Sequence, residues 1–167
     1  MVPFAIPTSL CLGMYTHMSK LVVSLLTAGA LASAAVATRA AAKSDLRVTP
    51  EAAVVAYCAA WNTTERSTRD RLLARVWAAN GVYMDPEPTL AAGRAALSDA
   101  IAKFQHDYPG NRFRCSAPQM DHRSMRVSWV RLGPDGKQLG QGMDFYDLAP
   151  DGRISRIVGF FGPPPTP

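Results

Sequence analysis

The order of its segments predicts an α+β domain in which three helices, coming first, pack on one face of a strongly curved antiparallel sheet. Three observations carry that prediction. Apolar residues recur at helical spacing only between Pro50 and Tyr108, alternation with a period of two dominates after Arg112, and two tight-turn signals, Gly133-Pro134-Asp135-Gly136 and Pro150-Asp151-Gly152, divide the later part into hairpins.

The chain has 167 residues and a formal net charge of +5. No acidic residue precedes Asp45, while Lys20 and Arg39 lie in that region. From Met18 the order is Met-Ser-Lys, an apolar run from Leu21 to Leu31, and then small residues offering Ala35-Val36-Ala37 or Ala40-Ala41-Ala42 for cleavage. This layout predicts a secretory signal peptide within a leader of residues 1–42, with Met18 as an alternative start, and hence a periplasmic or secreted protein. A membrane anchor is the competing reading. The run is short and rich in alanine, whereas a spanning helix needs about 20 predominantly apolar residues, so no stable membrane anchor is expected after cleavage. The expected domain is 43–162, and 163–167 form a proline-rich tail that cannot join a sheet. The arginines of the mature chain are scattered and no nucleic-acid motif accompanies them, which argues against a nucleic-acid partner. Its two cysteines, Cys58 and Cys115, both fall on apolar faces. An oxidising compartment permits a bridge, but two buried free thiols is the preferred reading.

Thr49-Pro50-Glu51 opens the first helix, with Thr49 as N-cap and Pro50 in the first turn. Val54, Tyr57, Cys58 and Trp61 form its apolar face, and Asn62-Thr63-Thr64 ends it. A second helix is expected from about Ser67, burying Leu72, Leu73, Val76 and Trp77 and stopping at Asn80-Gly81. Val82-Tyr83-Met84 is a short strand, and the Asp85-Pro86 step places Asp85 at its end. Gly93-Arg94 precedes a third helix carrying Leu97, Ile101, Phe104 and Tyr108 in a stripe, closed by Pro109-Gly110. Strands follow at Arg112 to Ala117, Ser124 to Leu132, Lys137 to Leu148 and Arg153 to Phe161. Glycine within a strand often marks a bend, and Gly140 and Gly142 sit inside one; a bent sheet closed by helices makes a cone with an apolar hollow.

Asp144 is the odd residue. The period of two puts it on one face with Gly140, Gly142, Tyr146 and Leu148, where a carboxylate must be solvated, paired or held neutral. No metal site is expected: His106 and His122 are isolated, and His17 is in the leader. No phosphate-binding loop occurs, because no helix follows Gly140 and Gly142.

Three stretches resemble the NTF2-like superfamily, in particular its SnoaL-like and ketosteroid isomerase-like members. They are the helix from Val54 to Asn62, Val82 to Pro86 ahead of Gly93-Arg94, and Asp144-Phe145-Tyr146 running through Asp151-Gly152-Arg153-Ile154 to Phe160-Phe161-Gly162. The resemblance implies an NTF2-like cone and a cofactor-free isomerase that shifts a double bond next to a ketone in a small hydrophobic substrate. Position by position it implies Asp85 as general base, with Tyr57 and Asp144 as hydrogen-bond donors to the carbonyl oxygen; a carboxylic acid kept neutral for that purpose is the worked case from that family. An apolar lining is expected from Trp61, Phe113, Met120, Met125, Trp129 and Phe160. By the same resemblance a homodimer through the outer face of the sheet is expected. Each candidate also has an ordinary use: Tyr57 as a core tyrosine, Asp85 capping the turn before Pro86, Asp144 pairing with an arginine. The alternative to an enzyme is a non-catalytic periplasmic module of the same fold that binds an apolar ligand or a partner.

Overall fold

The computed structural model describes residues 47–87 and 90–166; the expected leader, 1–42, lies outside them. Helix α1 (Pro50–Trp61) begins where expected, the Thr49 hydroxyl accepting the Ala52 N–H at 3.2 Å. It ends at Asn62, whose side chain acts like a strand edge: its amide oxygen accepts the Phe113 N–H at 2.7 Å and its amide nitrogen donates to the Phe113 carbonyl at 2.8 Å. Helix α2 (Arg66–Val76) is capped by Glu65, whose carboxylate accepts from Ser67 N–H and Thr68 N–H at 2.7 and 2.6 Å. Arg69 is buried at the α1–α2 junction. Its guanidinium donates to Ser98 Oγ and to the carbonyls of Thr63 and Thr64, so a charge inside the helical layer is satisfied by a hydroxyl and two loop carbonyls.

Strand β1 (Trp77–Met84) starts directly after α2, so the helix stops at Val76 and not at Asn80-Gly81 as the sequence suggests. Trp77 explains the early stop. It is fully buried and stacks on Tyr57 at 5.9 Å and 13°, which an extended backbone allows. The strand then slips register between Trp77 and Val82. Strand β2 (Leu90–Ala92), helix α3 (Arg94–Asp107) and strands β3 (Arg112–Cys115), β4 (Gln119–Asp121), β5 (Ser124–Leu132), β6 (Gln138–Leu148) and β7 (Ile154–Phe161) complete the order. The strands form one seven-stranded sheet in the order β2-β1-β7-β6-β5-β3, with β4 also on β5. Pairings are antiparallel except between β1 and β7, which run parallel, so the sheet is mixed and not wholly antiparallel. The exception is topological: the local hairpins β5–β6 and β6–β7 leave β7 running the same way as the distant β1.

The core lies between the helices and the inner face of this sheet, filled by Leu73, Trp77, Leu97, Ile101, Ile154 and Ile157. The cysteines are not free. Cys58 on α1 and Cys115 on β3 form a disulfide with Cα atoms 6.3 Å apart. Both indeed face inward, but they face one another, because the Asn62–Phe113 contact draws β3 onto the end of α1. Closing a loop between residues 57 apart in sequence stabilises the fold by about 4 kcal/mol on the chain-entropy argument. The Cys58→Ala, Cys115→Ala double variant is therefore expected to unfold about 10–20 °C lower in calorimetry, and reductant to have a similar effect on the native protein. Unchanged midpoints in both experiments would rule out the bridge.

Candidate active site

The inner faces of β5 and β6 meet rung by rung: Val127 opposite Asp144, Trp129 opposite Gly142, Arg131 opposite Gly140. A large side chain on β5 thus faces glycine on β6 at two successive inward positions. At Gly142 this is obligatory, since a Cβ there would lie 2.3 Å from the Trp129 ring and 2.3 Å from the Phe160 carbonyl. The indole can therefore lie across the sheet, and its Nε1–H donates to Asp144 Oδ1 at 2.8 Å. On the other side of Asp144 the β7 partner is Gly159. A Cβ at Gly159 would stand 3.0 Å from Asp144 Oδ1 and 3.5 Å from Asp85 Cβ, so its absence lets two acids share one small region.

Asp85 follows the last residue of β1, and the Tyr83 hydroxyl, two residues earlier and on the same face, donates to its Oδ2 at 2.9 Å. Tyr57 reaches the same hollow from α1; its hydroxyl is buried and makes no hydrogen bond of normal geometry among the described residues. Asp144 is only 7% exposed, and no arginine forms an ion pair with it among the described residues. Burial pushes its carboxyl up to about 7, the nearby charge of Asp85 adds to the rise, and the donors Trp129 and Tyr146 partly oppose it. Burial likewise holds the Tyr57, Tyr83 and Tyr146 hydroxyls well above the usual phenol range, so all three remain donors at neutral pH.

Tyr57, Tyr83, Asp85, Trp129 and Asp144 line a pocket of about 820 Å³. The structure brings together Tyr57, Asp85 and Asp144, with Trp61, Phe113 and Trp129 of the expected lining. Aromatic edges link the walls: Trp61 meets Phe113 at 5.6 Å, Phe113 meets Trp129 at 5.5 Å, and Trp129 meets Phe161 at 5.6 Å. Met120, Met125 and Phe160 are not in this lining, for three separate reasons. Met120 lies on the short edge strand β4 and is exposed. Met125 does face inward but, opposite Tyr146, is packed into the core. Phe160 falls on the outer face, since Gly159 and Phe161 take the inward positions of β7. Phe161 does the work expected of Phe160. Tyr83 and Arg131 also line the pocket and were not expected there, although the period of two places Tyr83 beside Asp85 and Arg131 in line with Val127 and Trp129. Among the described residues no group of three His, Cys, Asp or Glu side chains could hold a metal ion.

No family model matches the chain, and no curated protein matches it. Solved structures do. A protein of the SnoaL-like family from Agrobacterium tumefaciens strain C58 is 31% identical, with 66% of this chain and 95% of that chain covered at a TM-score of 0.63. A protein from Kribbella flavida DSM 17836, described as a candidate ketosteroid isomerase, is 22% identical over 71% of this chain and 81% of that one, at a TM-score of 0.51. A protein with a ketosteroid isomerase-like fold from Catenulispora acidiphila DSM 44928, solved with trimethylamine, is 17% identical over 69% and 88% of the two chains, at 0.56.

The raised Asp144 carboxyl has a thermodynamic consequence of definite sign. Between the ordinary aspartate range and about 7, the folded protein keeps a proton that the unfolded chain has released, so stability falls as pH rises through that window and levels off above it. Urea unfolding from pH 4.5 to 8 is expected to show this loss, of the order of a few kcal/mol, in the native protein and not in Asp144→Asn. Parallel pH profiles for the two proteins would mean that Asp144 is ionised throughout.

Proposed function

Because the chain belongs to the SnoaL-like family of the NTF2-like superfamily, we propose that it is a cofactor-free isomerase of the ketosteroid isomerase type, moving a β,γ-double bond into conjugation with a ketone in a small hydrophobic molecule. The observation that carries this reading is the buried carboxyl of Asp144, which no arginine pairs among the described residues, in one aromatic pocket with the Tyr57 hydroxyl and Asp85. The Asp85 carboxylate takes the proton from the carbon between ketone and alkene; the C–H electrons form the enolate, and its oxygen receives hydrogen bonds from Tyr57 and protonated Asp144. The same proton returns from Asp85 to the far alkene carbon, the enolate carbonyl re-forms and the double bond ends in conjugation. Tyr83 is a positioning residue, its hydroxyl holding Asp85 Oδ2. The description of the Agrobacterium relative as a candidate isomerase supports this reading.

We propose further that the domain acts outside the cytoplasm as a homodimer. The disulfide supports an oxidising compartment. The exposed rings of Phe145 and Phe160, in contact at 5.9 Å on the outer sheet face, support the dimer. Light scattering is expected to give twice the chain mass for the native protein and the chain mass for Phe145→Glu; a native monomer would remove the dimer.

The reaction is tested with a cyclic β,γ-unsaturated ketone, following the absorbance of the conjugated enone. Asp85→Asn is expected to lower kcat about 10²- to 10⁴-fold. Tyr57→Phe and Asp144→Asn each remove or alter an oxyanion donor, and losses of about 10²- to 10³-fold are expected for Tyr57→Phe. The native rate should fall as pH rises through about 7, where Asp144 loses the proton it donates. Equal rates for native protein and Asp85→Asn would remove the base; saturable binding without any turnover would leave a ligand-binding module of the same fold.

A further inference from the structure

Arg131 is a cation of this pocket that no acidic group pairs among the described residues. It lies on the inner face of β5, two rungs beyond Val127 and therefore beyond the Asp144 position, and it lines the pocket. None of its nitrogens makes a hydrogen bond or an ion pair among the described residues, and its Nε is shielded from water without a partner. Its one described interaction is with the Tyr108 ring, whose centroid lies 5.1 Å from the guanidinium carbon. A ring face holds a guanidinium in place without neutralising it or occupying its in-plane N–H groups. Gly140, directly opposite, contributes no side chain, and a Cβ there would meet Arg131 Nε alone, at 3.9 Å. The other pocket cation, Lys103, is already bound to Asp107.

We propose that Arg131 is a specificity-determining residue, and that the natural ligand carries a carboxylate at the end opposite its ketone. The inference deepens the isomerase reading and rests on it for one point, that the carbonyl oxygen points toward Tyr57 and Asp144. Gly140 lies four positions before Asp144 on β6, so the two rungs lie about 13 Å apart along the strand. With the reach of the arginine side chain subtracted, that span suits a molecule of two fused rings with polar groups at opposite ends. A planar carboxylate matches the guanidinium fork, and a single negative charge suits a rim that also carries Glu87, which would repel a phosphate dianion more strongly.

The test reads binding, so it is independent of turnover. The probes are 6-hydroxy-2-naphthoic acid, whose hydroxyl stands in for the enol and whose carboxylate lies across the ring system, and its methyl ester, followed by naphthol fluorescence. The native protein is expected to bind the acid about 10- to 100-fold more tightly than the ester, the range for one charge-assisted contact. Arg131→Gln should abolish that preference while leaving the Kd of the ester within about twofold, and Arg131→Lys should restore only part of it. Equal affinities for acid and ester in the native protein would overturn the proposal without any variant. So would a preference that survives in folded Arg131→Gln, or a 6-hydroxynaphthalene-2-sulfonate that binds more tightly than the carboxylate. If the acid is preferred and Arg131→Gln abolishes the preference, yet no ketone is isomerised, the carboxylate site stands and the catalytic reading alone fails.

Discussion

The burial of one carboxyl group that no cation pairs among the described residues is the constraint on which the site depends. An aspartate 7% exposed inside a sheet can stay there in two ways, by pairing with a positive charge or by keeping its proton. Here the neighbours are an indole N–H, a phenol and a second acid. The donors ease the cost of the charged form and the acid adds to it, and burial outweighs both donors, so the carboxyl titrates at about 7. The same arrangement explains the glycines around it. Gly142 clears the plane in which the Trp129 ring must lie to reach Asp144, and Gly159 clears the ground between Asp144 and Asp85. Side chains at either place would separate the acids or evict the indole, and the region would become ordinary core.

Packing and covalent structure hold the cone open above that point. The helical layer is fixed to the sheet by the Tyr57–Trp77 stack, by the paired Asn62–Phe113 hydrogen bonds, and by the disulfide from α1 to β3. The bridge and the Asn62 clamp lie on the same two elements that carry Tyr57, Trp61 and Phe113. Positions of the phenol donor and of two lining rings are thus set by a covalent bridge and a paired hydrogen bond, which is what a site needing close placement of a donor requires.

Much of this was legible in the sequence because period and turn chemistry are local properties. The caps at Thr49, the hairpin turns, the inward face of β6 and the end of β1 at Asp85-Pro86 follow from neighbours a few residues apart. What the sequence reading missed depends on residues far apart. Trp77 reads as part of the buried face of a helix until its stack on Tyr57 is known. Two apolar-face cysteines read as thiols until Asn62 brings β3 to α1. The buried Arg69 and the parallel β1–β7 pair have no local signal, since each depends on which distant carbonyl or strand arrives beside it. Phe160 is a different case. The register of β7 against β6 puts Gly159 under Asp144, and counting from Gly159 turns Phe160 outward and Phe161 inward; a one-residue parity choice moved a lining residue to the opposite face.

The separation of the two ends of the pocket is itself a physical requirement. In contact at about 4 Å, and with an effective dielectric near 20, a guanidinium would favour the ionised carboxylate by about 4 kcal/mol, or roughly three pKa units. That is enough to return Asp144 from about 7 to the ordinary aspartate range and to end its use as a donor. With the arginine rooted four residues further along the neighbouring strand, that attraction is weaker and burial can outweigh it. No arginine is among the causes of the Asp144 shift, as this spacing requires. A pocket that both keeps an acid neutral and recognises an anion must hold the two functions apart, and the inward series of Asp144, Gly142 and Gly140 facing Val127, Trp129 and Arg131 sets them two rungs apart on a single pair of strands.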